Sequence, residues 1–495
     1  MSFLAIDLGT QSIRAAIVDK NGQVKSLSQI SQDIDSPRPG WAQQMPELWW
    51  NLTKQVIKQT LNHYKQRNKV DDLKGICTCG QMHGPVGIDQ NGKTTTKWTQ
   101  IWMDKRSENI CEMIRTNYDE TKLAKITGNP ITTGWPGVKI RWIKENQREI
   151  YEKTNYFLVP KDFINFKLTG IAATDHSEAS GTYLYDANEE RYSKKLEDVL
   201  DIELEKFAPI HEAYDIIGTL KNDIAQELGL SHELQVVAGG GDFIVSLLGI
   251  GLVDSSTAVD MTGTSTLFVV HKDNPLIDLA IQNLRHVIGG WISFTMLDCG
   301  GLAMKWCKDF LNSTNKVNFS YEEMIQLASK APIGSDGLLF YPYFLGERRR
   351  DNVSAQGAFF NLMLTHQAKH FCRSIMEGVA FALGKDVIRF RELGVNLKQV
   401  YCLGGAIRNH LLYQIKANVT NLSQIIMNQP ESSLSGCGIL TAYGLGLIED
   451  FFQDKIIKPS QIYKPDDIAV QKYQKIQREF NRMYDHMLGY WYEKT

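Results

Sequence analysis

The chain is short of charge of one sign. Its 54 Lys and Arg against 56 Asp and Glu leave a formal net charge of -2 over 495 residues. That removes the electrostatic case for nucleic acid or an anionic membrane as partner. It also lacks a long uninterrupted apolar run: the longest, Val236 to Val253, contains Asp242 and several glycines, so no membrane span is predicted. Met1 to Ile6 reach Asp7 without a basic n-region, so no secretory signal is expected. Cysteine is scarce, at 8 residues, and Cys299, Cys307, Cys372 and Cys402 sit in apolar segments. This excludes a disulfide framework and fits a reducing cytoplasm. Cys77, Cys79 and His83 come without a second ligand pair, so zinc is not expected. No low-complexity linker is present. The length predicts two domains, joined by packed structure with a hinge near Asp242 to Asp254.

What the chain does have centres on Gly239-Gly240-Gly241-Asp242-Phe243. Leu234 to Ala238 reads as a short buried strand before it, and the apolar stretch from Ile244 reads as a helix start. Three consecutive glycines clear side chains from one place and let backbone or ligand approach. Into that space the sequence puts one carboxylate. Taken alone, Asp242 reads as a helix N-cap; the rest of the chain turns the reading toward a catalytic base.

A hydroxyl-rich turn supplies the first reason. Strand-like Phe3 to Ile6 leads into Asp7-Leu8-Gly9-Thr10-Gln11-Ser12, and Ile13 to Val18 returns as a second strand. Such a turn aims backbone N–H groups and hydroxyls at one point, which suits a phosphate. It recurs: Ala258-Val259-Asp260-Met261-Thr262-Gly263-Thr264-Ser265 followed by Thr266 to Val270 matches Ala5 to Val18 with one residue inserted. An internal repeat half a chain apart predicts two similar α/β halves, whose facing turns would hold a nucleotide polyphosphate.

Gly87-Ile88-Asp89-Gln90-Asn91-Gly92-Lys93-Thr94 satisfies the P-loop spacing, but a P-loop must open a helix. Here β-favouring residues follow, and Asp89-Gln90-Asn91-Gly92 echoes the hairpin turn Asp19-Lys20-Asn21-Gly22, so a hairpin is predicted. His83 lies between glycines at a predicted strand end, where ligands bind in α/β folds. Asp104 reads either as an N-cap or as an acceptor for ligand hydroxyls. In the second half, Val400 to Leu403, Gly404-Gly405-Ala406 and a helix after Asn409 form a strand, a glycine pair and a helix N-terminus, a reasonable nucleotide site. The charge run Glu347-Arg348-Arg349-Arg350-Asp351 reads as a solvated loop.

Together these motifs resemble the FGGY family of carbohydrate kinases, within the actin-like, hexokinase-like ATPase superfamily. The likeness runs over nearly the whole chain. It is carried by Asp7-Leu8-Gly9-Thr10 with Ser12, Pro39-Gly40-Trp41, Gly80-Gln81-Met82-His83-Gly84, Trp102 with Asp104 and Arg106, and Pro160-Lys161-Asp162. Gly239 to Asp242, Gly263-Thr264-Ser265, Gly346-Glu347-Arg348, Gln356-Gly357 with Phe359-Phe360, and Gly404-Gly405 with Arg408 complete it. The resemblance implies an α/β chain of two actin-like, ribonuclease H-like domains, 1–246 and 247–495, around an interdomain cleft. At Gln81-Met82-His83-Gly84 and around Asp242 the chain is most similar to the xylulokinase branch, which implies ATP-dependent phosphorylation of a small ketose, D-xylulose, in the cytoplasm. By the same resemblance Asp242 is the general base, and Met82, His83, Asp104 and Asp242 line the sugar site. Thr10, Gln11, Ser12, Gly263, Thr264, Ser265, Gly404, Gly405, Arg408 and Asn409 would contact ATP, and Asp7 with Asp242 would hold Mg²⁺. A homodimer is compatible with it. Three departures put the substrate in question: Arg349-Arg350 where the family usually has Thr-Pro, Asn409 in place of Ser, and bulky Phe243-Ile244-Val245-Ser246. The alternatives are a kinase of ribulose, fuculose, glycerol or an autoinducer-like substrate, and a non-catalytic actin-like switch.

Overall fold

The structure, a computed structural model, describes residues 1–65, 73–252, 254–314, 318–347, 354–451 and 459–492. Two mixed sheets dominate it. The first takes β1 (Ser2–Leu8), β2 (Ser12–Asp19), β3 (Val24–Ser31), β4 (Leu73–Gly80), β5 (Ile216–Thr219) and β6 (Gln235–Gly241), in the order β5-β6-β4-β1-β2-β3. The second takes β7 (Thr257–Thr262), β8 (Thr266–Lys272), β9 (Gln282–Arg285), β10 (Trp291–Leu297), β11 (Gln399–Leu403), β12 (Ser423–Met427) and β13 (Pro459–Tyr463), in the order β9-β10-β8-β7-β11-β12-β13.

The two sheets repeat each other. β1 pairs antiparallel with β2 and parallel with β4; β7 pairs antiparallel with β8 and parallel with β11. Each sheet continues through a second parallel strand, β6 or β12, to an antiparallel edge, β5 or β13. The sequence repeat therefore marks a true duplication of topology, with β9 added at one edge of the second copy.

Helices cover both faces of the first sheet, so β1 is buried along its whole length. Leu4 and Ile6 meet Trp49 and Ile57 of α1 (Pro46–Lys65) on one side. Phe3 and Ala5 meet the opposite layer, which holds Ile244 and Leu247 of α2 (Asp242–Gly249) and Leu434 and Cys437 of α3 (Ser432–Gly444). Helix α3 comes from the far end of the chain, yet it lies on the first sheet. Its small residues make that possible: a Cβ at Gly436 would strike the Val245 carbonyl, and one at Gly438 would strike Val18. The stretch 242–254, expected as a hinge, opens with the regular helix α2, and Val253 lies outside the described residues.

The hairpin reading of residues 87–94 is correct. Ile88 bridges Thr94, and the Asp89 carboxylate accepts from the Asn91 and Lys93 amides, both at 2.8 Å. The charged loop is different. Glu347 is buried, not solvated, and Arg348 to Asp351 lie outside the described residues. Among the described residues no helix is long and apolar enough to cross a membrane.

Candidate active site

Side chains alternate along β1, so Asp7 shares the face of Phe3 and Ala5 and looks toward α3. Arg14 is its cross-strand partner on β2, and the two side chains form an ion pair. Arg14 also reaches Glu431 at 2.7 Å, and Ser433 Oγ donates to Asp7 Oδ2 at 2.7 Å. Residues 426 apart in sequence thus meet on one carboxylate oxygen. The other oxygen, Asp7 Oδ1, is buried and has no hydrogen-bond partner.

Asp242 is aimed by a bulge. The pairing of β6 with β4 shifts register between Val237 and Gly240. Gly239 holds φ 68°, and a Cβ there would run into the Thr78 carbonyl, so only glycine fits. Ser177 Oγ accepts from the Gly241 amide at 3.1 Å, and Met82 packs where a Gly241 side chain would stand. Asp242 is then the first residue of α2, with Gly241 in the cap position and no side-chain cap. The N-cap reading is therefore corrected: the carboxylate is one residue too late, and it accepts only from the adjacent Phe243 amide, at 2.6 Å. Burial, then the negative charge of Asp7, push its carboxyl up to about 7, while the Phe243 amide and Arg14 pull the other way. Asp7, Arg14 and Asp242 line one cavity of about 420 Å³ together with Thr10, Gln11 and Ser12.

Trp102 and Met103 close the same cavity. Thr10 is fixed from three sides: Trp102 Nε1 donates to its hydroxyl at 3.1 Å, that hydroxyl donates to Gln81 Oε1 at 3.2 Å, and Gln44 holds its carbonyl at 2.8 Å. Met82, His83 and Asp104 are not part of this lining. Met82 backs Gly241, as described. His83 sits at φ 72° with its ring edge-on to Trp135 at 5.1 Å; burial, then Lys139, push its imidazole down to about 3, so the ring is neutral. Lys139 Nζ donates to the His83 carbonyl at 2.9 Å, and burial lowers that amine to about 7. Asp104 is wholly buried and caps no helix; its oxygens accept from the Ala42 amide at 2.6 Å and from Arg106 at 2.7 to 3.0 Å.

In the second half, the turn after β7 is braced by glycines. The Thr264 carbonyl accepts from the Gly300 and Leu302 amides at 3.1 and 3.0 Å, while the space beside Gly263 is open. Ser265 accepts from the Gly263 amide at 2.9 Å. Gly404 holds φ 93° against the Thr262 carbonyl, and Gly405 faces open space. Arg408 is exposed. Asn409 is buried and caps the helix His410–Thr420 by accepting from Leu412 at 3.0 Å, which occupies its side-chain oxygen.

The repeat has diverged where chemistry is concerned. Asp260 is the counterpart of Asp7, but Lys416 Nζ reaches its Oδ2 at 2.5 Å and the Thr262 hydroxyl its Oδ1 at 2.6 Å, all fully buried. Only the first copy keeps a carboxylate facing the cavity. Arg14, Glu431, Ser433 and Lys139 escaped the sequence reading; the one available signal was the i, i+7 spacing of Asp7 and Arg14 across a tight hairpin.

Residues 2–249 match the N-terminal domain of the FGGY family of carbohydrate kinases, and residues 259–445 match its C-terminal domain. Xylulose kinase of Bacillus subtilis (strain 168) is 29% identical over 488 residues, 98% of this chain and 96% of that one. Two crystal structures from Lactobacillus acidophilus have the same fold with TM-scores of 0.92 at 22% identity. Ligand-bound xylulose kinase covers 100% of both chains, and gluconate kinase covers 100% of this chain and 99% of its own. A duplicated mixed sheet, a carboxylate-bearing cavity between β1 and α2, and matched domains in both halves lead to one assignment: the chain belongs to the FGGY family of carbohydrate kinases and is a sugar kinase of two α/β domains.

Proposed function

We propose that this kinase transfers the γ-phosphoryl group of ATP to D-xylulose, giving D-xylulose 5-phosphate, with Asp242 as general base. One observation carries the reading: a carboxyl near neutrality stands in a cavity shared with a phosphate-type turn and a second carboxylate. A base at about 7 is matched to its task, because it is ionised in half the molecules at neutral pH yet holds a proton well. As the sugar oxygen bonds to phosphorus and the bond to the ADP oxygen breaks, the hydroxyl proton passes to Asp242. The likeness to the Bacillus subtilis xylulose kinase supports the ketopentose.

Mg²⁺ fits the carboxylates present. Among the described residues no group of three or more His, Cys, Asp and Glu side chains could hold a metal ion by itself. Mg²⁺, however, needs only one or two carboxylates when phosphates supply the rest. Asp7 Oδ1, buried without a partner, and Asp242 are the candidates. Bound there, the ion would offset charge on the phosphates. Arg14 and Ser433 orient Asp7 by occupying its other oxygen. The proposed division is residues 1–246 for the sugar and 247–495 for ATP, the latter through Gly263, Thr264, Ser265, Gly404, Gly405, Arg408 and Asn409. Of these, Asn409 would contribute its amide nitrogen or backbone.

The test is a panel of D-xylulose, ribulose, fuculose, gluconate and glycerol in a coupled ADP-release assay. Highest kcat/KM on D-xylulose is expected. Turnover confined to gluconate or a polyol would end the ketopentose assignment, and sugar-independent ATP hydrolysis alone would support the switch.

A further inference from the structure

A buried charge cluster lies behind the bulge that aims Asp242, and neither the cavity nor the phosphate turns make use of it. Lys161, from the Pro160-Lys161-Asp162 motif, has no exposed surface. Its amine is 2.5 Å from Asp162 Oδ1 and 2.9 Å from Asp175 Oδ1, and it donates to the Ala238 carbonyl at 3.1 Å. Asn165 Nδ2, one helical turn on, donates to the same carbonyl at 2.8 Å. Ala238 is the residue at which β6 leaves its ladder, just before Gly239 turns to positive φ. The amides of this segment are taken as well: Ala238 by Asp215 O at 2.9 Å, Gly239 by Ala213 O at 2.8 Å and Gly241 by Ser177 Oγ at 3.1 Å. Asp175 also accepts from the Ser177 amide at 2.8 Å, which ties the cluster to the residue that holds Gly241.

Burying a lysine beside acids costs free energy, because the ions forfeit hydration. Burial opposes the charge on Lys161, but Asp162, Asp175 and Glu178 hold it above the ordinary lysine range. The same fold could have capped the Ala238 carbonyl with Asn165 alone. Two donors converging on one carbonyl at the first residue of a bulge fix the direction in which the chain emerges four residues later, at Asp242.

We infer that Lys161 and Asn165 are positioning residues for phosphoryl transfer: by clamping the Ala238 carbonyl they hold the glycine bulge that presents Asp242 to the sugar hydroxyl. This rests on Asp242 being the base. Both side chains are buried, and neither lines the cavity. A misplacement of the base by about 1 Å is enough to cost roughly 100-fold in rate, so loosening the clamp should appear in kcat rather than in binding.

Three variants test it: Asn165→Ala, which leaves every charge in place, the charge-balanced pair Lys161→Met with Asp175→Asn, and Asp242→Asn as reference. The expected result for the first two is a kcat lowered about tenfold or more, with KM for sugar and ATP within about twofold. If the paired variant fails to fold, Asn165→Ala decides alone. Wild-type kcat in Asn165→Ala, with Asp242→Asn inactive, would overturn the clamp and leave the base intact. An active Asp242→Asn would overturn the base reading itself.

Discussion

Replacing Asp242 by asparagine should make the ligand-free protein more stable at alkaline pH while removing its activity. The carboxyl stands at about 7 in the fold against an ordinary value of 3.8, chiefly because burial and Asp7 disfavour its charged form. An acid whose folded value is raised binds its proton more tightly when folded, so stability is lost as pH rises from the lower value through the higher one. A difference of about 3 pH units at ~1.4 kcal/mol each sets a ceiling of about 4 kcal/mol. Relaxation around the ionised group reduces this, so a gain of about 1–4 kcal/mol is expected for Asp242→Asn at pH 8, corresponding to a shift of roughly 1–4 °C in Tm for a chain of 495 residues. At pH 4 or below, where both proteins carry a neutral side chain, the difference should vanish. Thermal melts of both proteins in EDTA, from pH 4 to 8, measure it directly. A stability difference that stays flat across that range would refute the claim that Asp242 is held ionised at a cost.

Gly239→Ala forces a side chain into the Thr78 carbonyl at φ 68°, so it should reduce kcat and cost at least about 1–3 kcal/mol; activity assays and denaturant melts check both. Lys416→Met leaves Asp260 buried without its cation and should destabilise the protein by about 3–5 kcal/mol. Adding Asp260→Asn should recover much of that loss in the same melts.

Much of the fold was legible because it is local. The duplicated hydroxyl turn and the strand before Gly239 each announce themselves within a short stretch of chain. Asp242 was placed by what surrounds it, although its geometry is that of a first helical residue and not a cap. What the sequence hid is long-range. Ser433 reaches Asp7 only because α3 crosses onto the first sheet, and no periodicity near either residue carries that contact. Asp260 and Asp7 look alike in sequence, but one is sealed by Lys416 from 156 residues away and the other faces the cavity. Asp104 is a similar case. A carboxylate before a predicted helix reads as a cap, whereas Arg106 and the Ala42 amide claim it.

The most direct measurement is single-turnover phosphorylation of D-xylulose by Asp242→Asn alongside calorimetric titration with ATP. The account predicts transfer slowed by about 10²–10⁴-fold, the contribution of a general base, with ATP affinity within about twofold of the unsubstituted protein. Transfer at the original rate by the substituted enzyme would contradict it.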